Sequence, residues 1–286
     1  MKSFFVKYIQ AIFYSNIFIA ICGIAFYRRG LILYQNEEHA LIVSFFVFTS
    51  TLFTYLFIRL ASMDRIKMYK SSGRRNFLVN VSNGLIILTA LSAIATGILF
   101  FALPKFIQYV LIVPGVISIL YGLPVFKKNG TWKKLRDVGV TKIFMIAFVW
   151  AFTGAILPAM RDLYWEINWW LFAADFVFIF AITIPFDIKD LESDALHNVK
   201  TIPFYIGKEL SYSLAFVLLF IAGVCYAFAA QNLSVNVLPP LTIAVIITGI
   251  LLYATRYSKK NLIYFGWIDG TILLQYLLLL SYQLLH

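Results

Sequence analysis

The amino-acid sequence predicts an all-α integral membrane protein with nine transmembrane helices and a cytoplasmic amino terminus. Three observations lead there. Of 286 residues, 62% are hydrophobic and only 13% charged, whereas soluble domains carry about 25% charged residues. The apolar runs are long and do not alternate; a spanning helix needs about 20 such residues and a barrel strand about 10. The basic residues also gather in alternate loops between those runs, as positive-inside topology requires. Composition alone excludes soluble, disordered and disulfide-rich secreted classes.

In chain order, the first five predicted spans are residues 8–27, 40–58, 76–104, 106–126 and 143–160, each free of charge. The first lacks a small-x-small cleavage site and is expected to be retained. The sixth, 167–186, contains one carboxylate, Asp175. The window 210–255 is long enough for two spans, and its polar middle, Gln231-Asn232-Leu233-Ser234 through Pro239-Pro240, marks the turn. The ninth, 261–286, contains Asp269. Pro114, Pro158 and Pro185 are expected to kink the helices that hold them. The spans consume most of the chain, so residues 1–286 read as one polytopic membrane domain.

With the amino terminus inside, all 24 basic residues except Arg28, Arg29, Lys105 and Arg161 fall on the cytoplasmic side. The net charge of +11 is therefore a topology signal and a contact for anionic membrane lipids, not a nucleic-acid footprint. Cys22 and Cys225 fall inside spans, as small buried hydrophobes do. His39, His197 and His286 are too scattered to form a metal cluster.

The segment after span six carries the chemistry: Pro185-Phe186-Asp187-Ile188-Lys189-Asp190-Leu191-Glu192-Ser193-Asp194. On a helix turning about 100° per residue, Asp187, Asp190 and Asp194 share one face. Carboxylates stacked in this way repel, and a divalent cation removes the repulsion. Mg²⁺ is commonly held by one or two carboxylates, waters and substrate phosphate oxygens, so this face reads as half of a metal–diphosphate site. The alternative is a solvated interfacial segment. Cations suited to phosphate lie in the same and neighbouring loops: Lys200 just beyond Asp194, Arg65 and Lys67 beside Asp64 after span two, and Arg136 and Lys142 flanking span five. Glu192 points to the other side, and Lys189 reads as a surface or headgroup contact.

Asp187-x-x-Asp190-x-x-x-Asp194, followed by His197-Asn198-Val199-Lys200-Thr201-Ile202-Pro203 and Ile206-Gly207-Lys208, resembles the second aspartate-rich motif of the UbiA superfamily of intramembrane prenyltransferases. The likeness includes nine spans and a last span carrying Asp269-Gly270; it is close only over about residues 180–210. It implies a UbiA-like bundle in which Asp187, Asp190 and Asp194 hold Mg²⁺ and Lys200, Arg65, Lys67 and Lys142 bind diphosphate. It further implies transfer of a prenyl group from a polyprenyl diphosphate to an aromatic or other lipophilic acceptor, in a bacterial plasma membrane. The family's first aspartate motif should lie near residues 54–65, where this chain has Asp64 alone and Arg59 in place of a metal ligand. A catalytically inactive or repurposed isoprenoid- or lipid-binding relative is therefore a second reading.

Polar groups within the spans add secondary candidates. Asp175, 12 residues before Asp187, lies about 18 Å up the helix. Asp175 and Asp269 are either packing residues or acids lining an acceptor pocket or proton path. Asn80 and Asn83 share a face at i, i+3 and either contact metal or phosphate or bond helix to helix. A secondary transporter coupled through Asp175 and Asp269 is the third reading. No internal repeat supports it, and the carboxylates cluster at the membrane face instead of the midplane. With 28 Phe, 17 Tyr and six Trp, aromatic walls for an isoprenoid are available, though no single ring is assigned by sequence.

Overall fold

The structure is a computed structural model that describes residues 12–61, 82–128, 131–162, 165–196, 199–233, 237–257 and 263–285. Asp64, Arg65, Lys67 and Asn80 lie outside the described residues. Among the described residues, nine helices are long and apolar enough to cross a membrane. They are α1 (Ile17–Tyr34), α2 (Ala40–Leu60), α3 (Ser82–Ala102) and α4 (Lys105–Gly122). Next come α5 (Thr141–Ala151, whose span runs on through further helical turns to Ala159), α6 (Trp169–Leu196), α7 (Ile202–Ala230) and α8 (Leu238–Thr255). The last, α9 (Asp269–Leu285), is entered through a π-helical segment, Ile263–Ile268. A small antiparallel hairpin, β1 (Pro124–Lys128) with β2 (Thr131–Lys134), and a 3₁₀ turn, Leu135–Asp137, link α4 to α5.

Two spans differ from expectation. The first begins at Ile17 and runs through Arg28 and Arg29 to Tyr34. A charge-free window ends at Tyr27, but Arg29 is fully buried inside the bundle and so does not mark a membrane face. The sixth helix continues past Pro185 to Leu196, which carries the aspartate segment on the same rigid rod. The hairpin was not foreseen: its strands take the last residues of the fourth apolar window and the basic stretch behind it.

Burial ranks the helices. α1, α5 and α6 are mostly enclosed, whereas α3 presents most of its surface outward. The main core runs along α6 and joins α1, α5, α7, α8 and α9. A second apolar cluster ties the end of α1 to α2, the α3–α4 corner and the end of α5. Leu91, Ile94, Ile98 and Phe101 of α3 face outward, as a lipid-facing helix requires.

Proline chemistry shapes α5. Pro158 has no N–H to donate to the carbonyl four residues back, at Gly154. The helix opens into a π turn, Phe152–Ile156, then a 3₁₀ turn, Leu157–Ala159. The freed Gly154 carbonyl accepts from Arg29 Nη2 at 3.4 Å. A Cβ on Gly154 would stand 2.4 Å from the Phe26 ring and 2.5 Å from Asp175 Oδ2, so only glycine lets α5 approach this closely.

Behind that contact lies a polar knot that no single helix predicts. Arg29 Nη2 donates to Asp175 Oδ2 at 2.5 Å, and Nη1 donates to Gln275 Oε1 at 2.6 Å. Tyr226 OH donates to Asp175 Oδ1 at 2.8 Å. The guanidinium carbon sits 4.2 Å from the Phe26 ring centre. All four polar residues are buried, and together they join α1, α5, α6, α7 and α9.

Candidate functional site

The site forms at the end of the bundle where α6 finishes and α5 starts. Position i+7 returns to within about 20° of position i on a helix, whereas i+3 stands about 60° aside. Asp187 and Asp194 accordingly face the same neighbour, Lys142, while Asp190 turns to the exposed side. Lys142 Nζ donates to Asp187 Oδ1 at 2.6 Å and lies 3.9 Å from Asp194 Oδ2. Asp187 is fully buried; the Lys142 and Asp194 side chains are 16% and 19% exposed. Asp187 Oδ2 and Asp194 Oδ2 are buried without a hydrogen-bond partner. Buried carboxylate oxygens left open are rare because each forfeits its hydration, and they point to a ligand.

Two further groups frame this face. Tyr121, at the end of α4, and Arg136, in the 3₁₀ turn, lie within electrostatic reach of the same carboxylates. Gly139 packs the start of α5 against the chain at Lys200. Its φ is +35°, and a Cβ there would fall 1.9 Å from the Lys200 carbonyl oxygen. This contact brings the Lys200–Thr201 pair beside the aspartate face, and Thr201 Oγ1 is another buried polar atom without a partner. The Lys200 ammonium itself lies on the outside, 5.3 Å from the Phe204 ring centre.

The remaining candidates are spread out. Asp269 heads α9, where its carbonyl accepts from Cys22 Sγ at 3.4 Å. Asn83 is exposed on the first turn of α3. Asp175 belongs to the Arg29 knot and is held by charge and hydrogen bonds, so it packs helices together. Arg59 donates to the Tyr14 carbonyl, which ties the end of α2 to the chain before α1. Lys189 sits 4.6 Å and 4.7 Å from the Tyr264 and Phe265 ring centres, a packing role where sequence suggested a surface contact. Among the described residues, no three His, Cys, Asp or Glu side chains converge as a ready-made metal cage.

A cavity of about 620 Å³ lies between α2, α3, α4 and α5. Its wall runs along α4 from Leu111 to Leu123, about 18 Å at 1.5 Å per residue. Leu123, two residues beyond Tyr121, bounds the end nearer the aspartates. The lining is mainly apolar and aromatic, with Phe46, Phe53, Phe57 and Phe100 among its walls. On its floor Trp150 Nε1 donates to Tyr55 OH at 3.2 Å. Gly97 and Gly115 line it with open space where side chains would stand. Sequence reasoning missed Tyr121, Arg29 and every cavity residue. Only the placement of Tyr121 at a span end next to a basic loop offered a signal.

The comparisons agree with this architecture. The family model described as the UbiA prenyltransferase family matches residues 76–265, more than half of the chain. A UbiA homologue from Archaeoglobus fulgidus, solved bound to GPP and Mg²⁺, superposes with a TM-score of 0.68 at 15% identity. That match covers 95% of this chain and 99% of the homologue. The apo structure of a UbiA homologue from Aeropyrum pernix K1 gives 0.70 at 13% identity, covering 94% and 98%. A structure titled for digeranylgeranylglyceryl phosphate synthase in membranes gives 0.55 at 17% identity, covering 94% and 97%. A search of the curated proteins returned no match. With six of the nine described spanning helices inside the matched segment, the chain belongs to the UbiA prenyltransferase family.

Proposed function

We propose that the protein is an Mg²⁺-dependent intramembrane prenyltransferase. It moves a prenyl group from a polyprenyl diphosphate to an aromatic or other lipophilic acceptor. Residues 1–286 act as one polytopic membrane unit, with the aspartate end at the cytoplasmic face of a bacterial plasma membrane. One observation carries the reading: two buried carboxylates hold oxygens without hydrogen-bond partners, within electrostatic reach of Tyr121 at the end of α4, the helix that also walls the apolar cavity. The A. fulgidus homologue solved with GPP and Mg²⁺ supports the same pairing of ligands.

The donor set fits Mg²⁺. Asp187 and Asp194 offer hard oxygen ligands, and one or two carboxylates with waters and phosphate oxygens make a usual Mg²⁺ shell. Asp190, at the exposed edge of the same face, completes the candidate set. Bound there, Mg²⁺ supplies charge neutralisation to the diphosphate as a leaving group. The chain's own residues do the rest. Lys142 and Arg136 supply cations for the phosphate oxygens; Lys200, whose ammonium rests outside near Phe204, and Arg65 and Lys67, beside Asp64, are further sequence-based candidates for that role. The cavity holds the tail and keeps water from the allylic carbon. There the C–O bond breaks with both electrons leaving on the diphosphate. Phe57, packed against Gly122 at the end of the cavity nearer the aspartates, offers a ring face that favours the cation so formed. The acceptor then forms the new bond to that carbon and releases a proton.

A second reading, a non-catalytic isoprenoid- or lipid-binding relative, draws on one observation: Lys142 already neutralises Asp187. One assay separates the two. Purified protein in lipid is given labelled prenyl diphosphates, mixed aromatic acceptors and Mg²⁺, beside Asp187→Asn and Asp190→Asn variants. Diphosphate release that needs Mg²⁺ and is lost in both variants is expected. No release from any donor, with binding indifferent to Mg²⁺ and to both substitutions, would overturn the enzyme reading and favour the binding relative.

A further inference from the structure

The open Oδ2 atoms of Asp187 and Asp194 and the ammonium beside them describe a site that already holds a cation of its own. We propose that Lys142 is a built-in counter-cation: it occupies the position between Asp187 and Asp194 in the substrate-free protein and yields it only when a divalent cation arrives with diphosphate. The inference rests on the metal–diphosphate reading above.

The geometry supports it in three ways. The ammonium sits 2.6 Å from one carboxylate and 3.9 Å from the other, the two carboxylates that would hold a divalent ion. Two carboxylates and one ammonium leave one net negative charge, too little to draw a divalent ion from water strongly. The same two carboxylates without the ammonium carry two, and close charges in a partly enclosed site count heavily. Diphosphate changes the balance because it brings several negative charges and new acceptors. A lysine has three donors on a flexible four-carbon stem, so its ammonium can turn from carboxylate to phosphate without moving the helix.

The backbone before Lys142 packs closely, since a Cβ on Gly139 would fall 1.9 Å from the Lys200 carbonyl oxygen, and the exchange of partners needs only the lysine side chain to turn. The consequence is ordered loading: metal alone is not retained, and metal and diphosphate bind as one unit. Such a device would also let a single aspartate face serve where the first aspartate motif is degenerate.

The test uses Mn²⁺ as the probe, read by electron paramagnetic resonance on the full chain in lipid nanodiscs, with and without inorganic pyrophosphate. In the wild type, pyrophosphate is expected to tighten Mn²⁺ binding at least about tenfold. In Lys142→Met, Mn²⁺ alone is expected to bind at least about tenfold tighter than to the wild type, a shift within the range of one close unit charge. Equal affinity of both proteins for Mn²⁺ alone would overturn the proposal. So would tight Mn²⁺ binding to the wild type that pyrophosphate leaves unchanged, a result that needs no variant to fold. No Mn²⁺ binding to either protein under any condition would instead remove the metal–diphosphate reading itself.

Discussion

Replacing Asp175 isolates the energy stored in the Arg29 knot. Asp175→Ala leaves a guanidinium inside the bundle with its main counter-charge gone. Arg29 would keep Gln275 at 2.6 Å, Tyr226 at 3.2 Å and the Gly154 carbonyl at 3.4 Å, none of which carries charge. Breaking a buried ion pair by removing one partner costs about 3–5 kcal/mol, because the survivor is uncompensated. Replacing both partners by apolar residues, Arg29→Met with the same Asp175→Ala, removes the stranded charge and is expected to cost less than either single change. The cycle should therefore show a coupling of at least about 2 kcal/mol, well above the roughly 0.5 kcal/mol scatter of independent sites. Unfolding in mixed micelles, followed by tryptophan fluorescence, measures all four proteins. Asp175 stands about 18 Å along α6 from Asp187, so pyrophosphate binding by the folded fraction should be unaffected. Additive single effects would refute the claim that the pair acts as one clasp.

Four further outcomes are expected. Gly30→Ala places a Cβ 2.3 Å from Pro158 Cγ and 2.4 Å from the Gly154 carbonyl oxygen; overpacking of this kind costs about 1–3 kcal/mol, read as a lower melting temperature. Gly139→Ala forces a side chain into the Lys200 carbonyl and should weaken pyrophosphate binding at least about tenfold, about 1.4 kcal/mol; calorimetry in nanodiscs gives the number. Gly97→Phe fills open space in the cavity and should depress turnover of long prenyl donors more than short ones; equal loss across a chain-length series would detach the cavity from the donor. Chelation of divalent cations should abolish diphosphate release, and Mg²⁺ should restore it.

Most of the fold was legible in the sequence because its signals are local. A run of about 20 apolar residues must be a helix in lipid, since no other single segment satisfies its own backbone there. Ala40–Leu60, Lys105–Gly122 and Thr141–Ala159 lie close to their predicted windows for this reason. The i and i+7 spacing of Asp187 and Asp194 was legible for the same reason, whereas Asp190, at i+3, turns to the exposed side. Even the turn at Gln231-Asn232 between α7 and α8 follows from local polarity.

What the sequence alone did not determine involves partners far apart in the chain. Arg29 reads as a boundary charge until Asp175, 146 residues away, is packed against it. Hydropathy counts a charge as a reason to end a span and carries no term for its neutralisation inside the bundle. Lys142 reads from sequence as a cation for diphosphate at the edge of span five; its place between Asp187, 45 residues on, and Asp194 depends on how α5 meets α6. The cavity is the furthest from local rules, since four helices must fail to fill the space between them before it exists. Sequence thus determined which groups reach the membrane face on which helix, and tertiary packing decided which charges neutralise one another and where a chain of carbon atoms finds room.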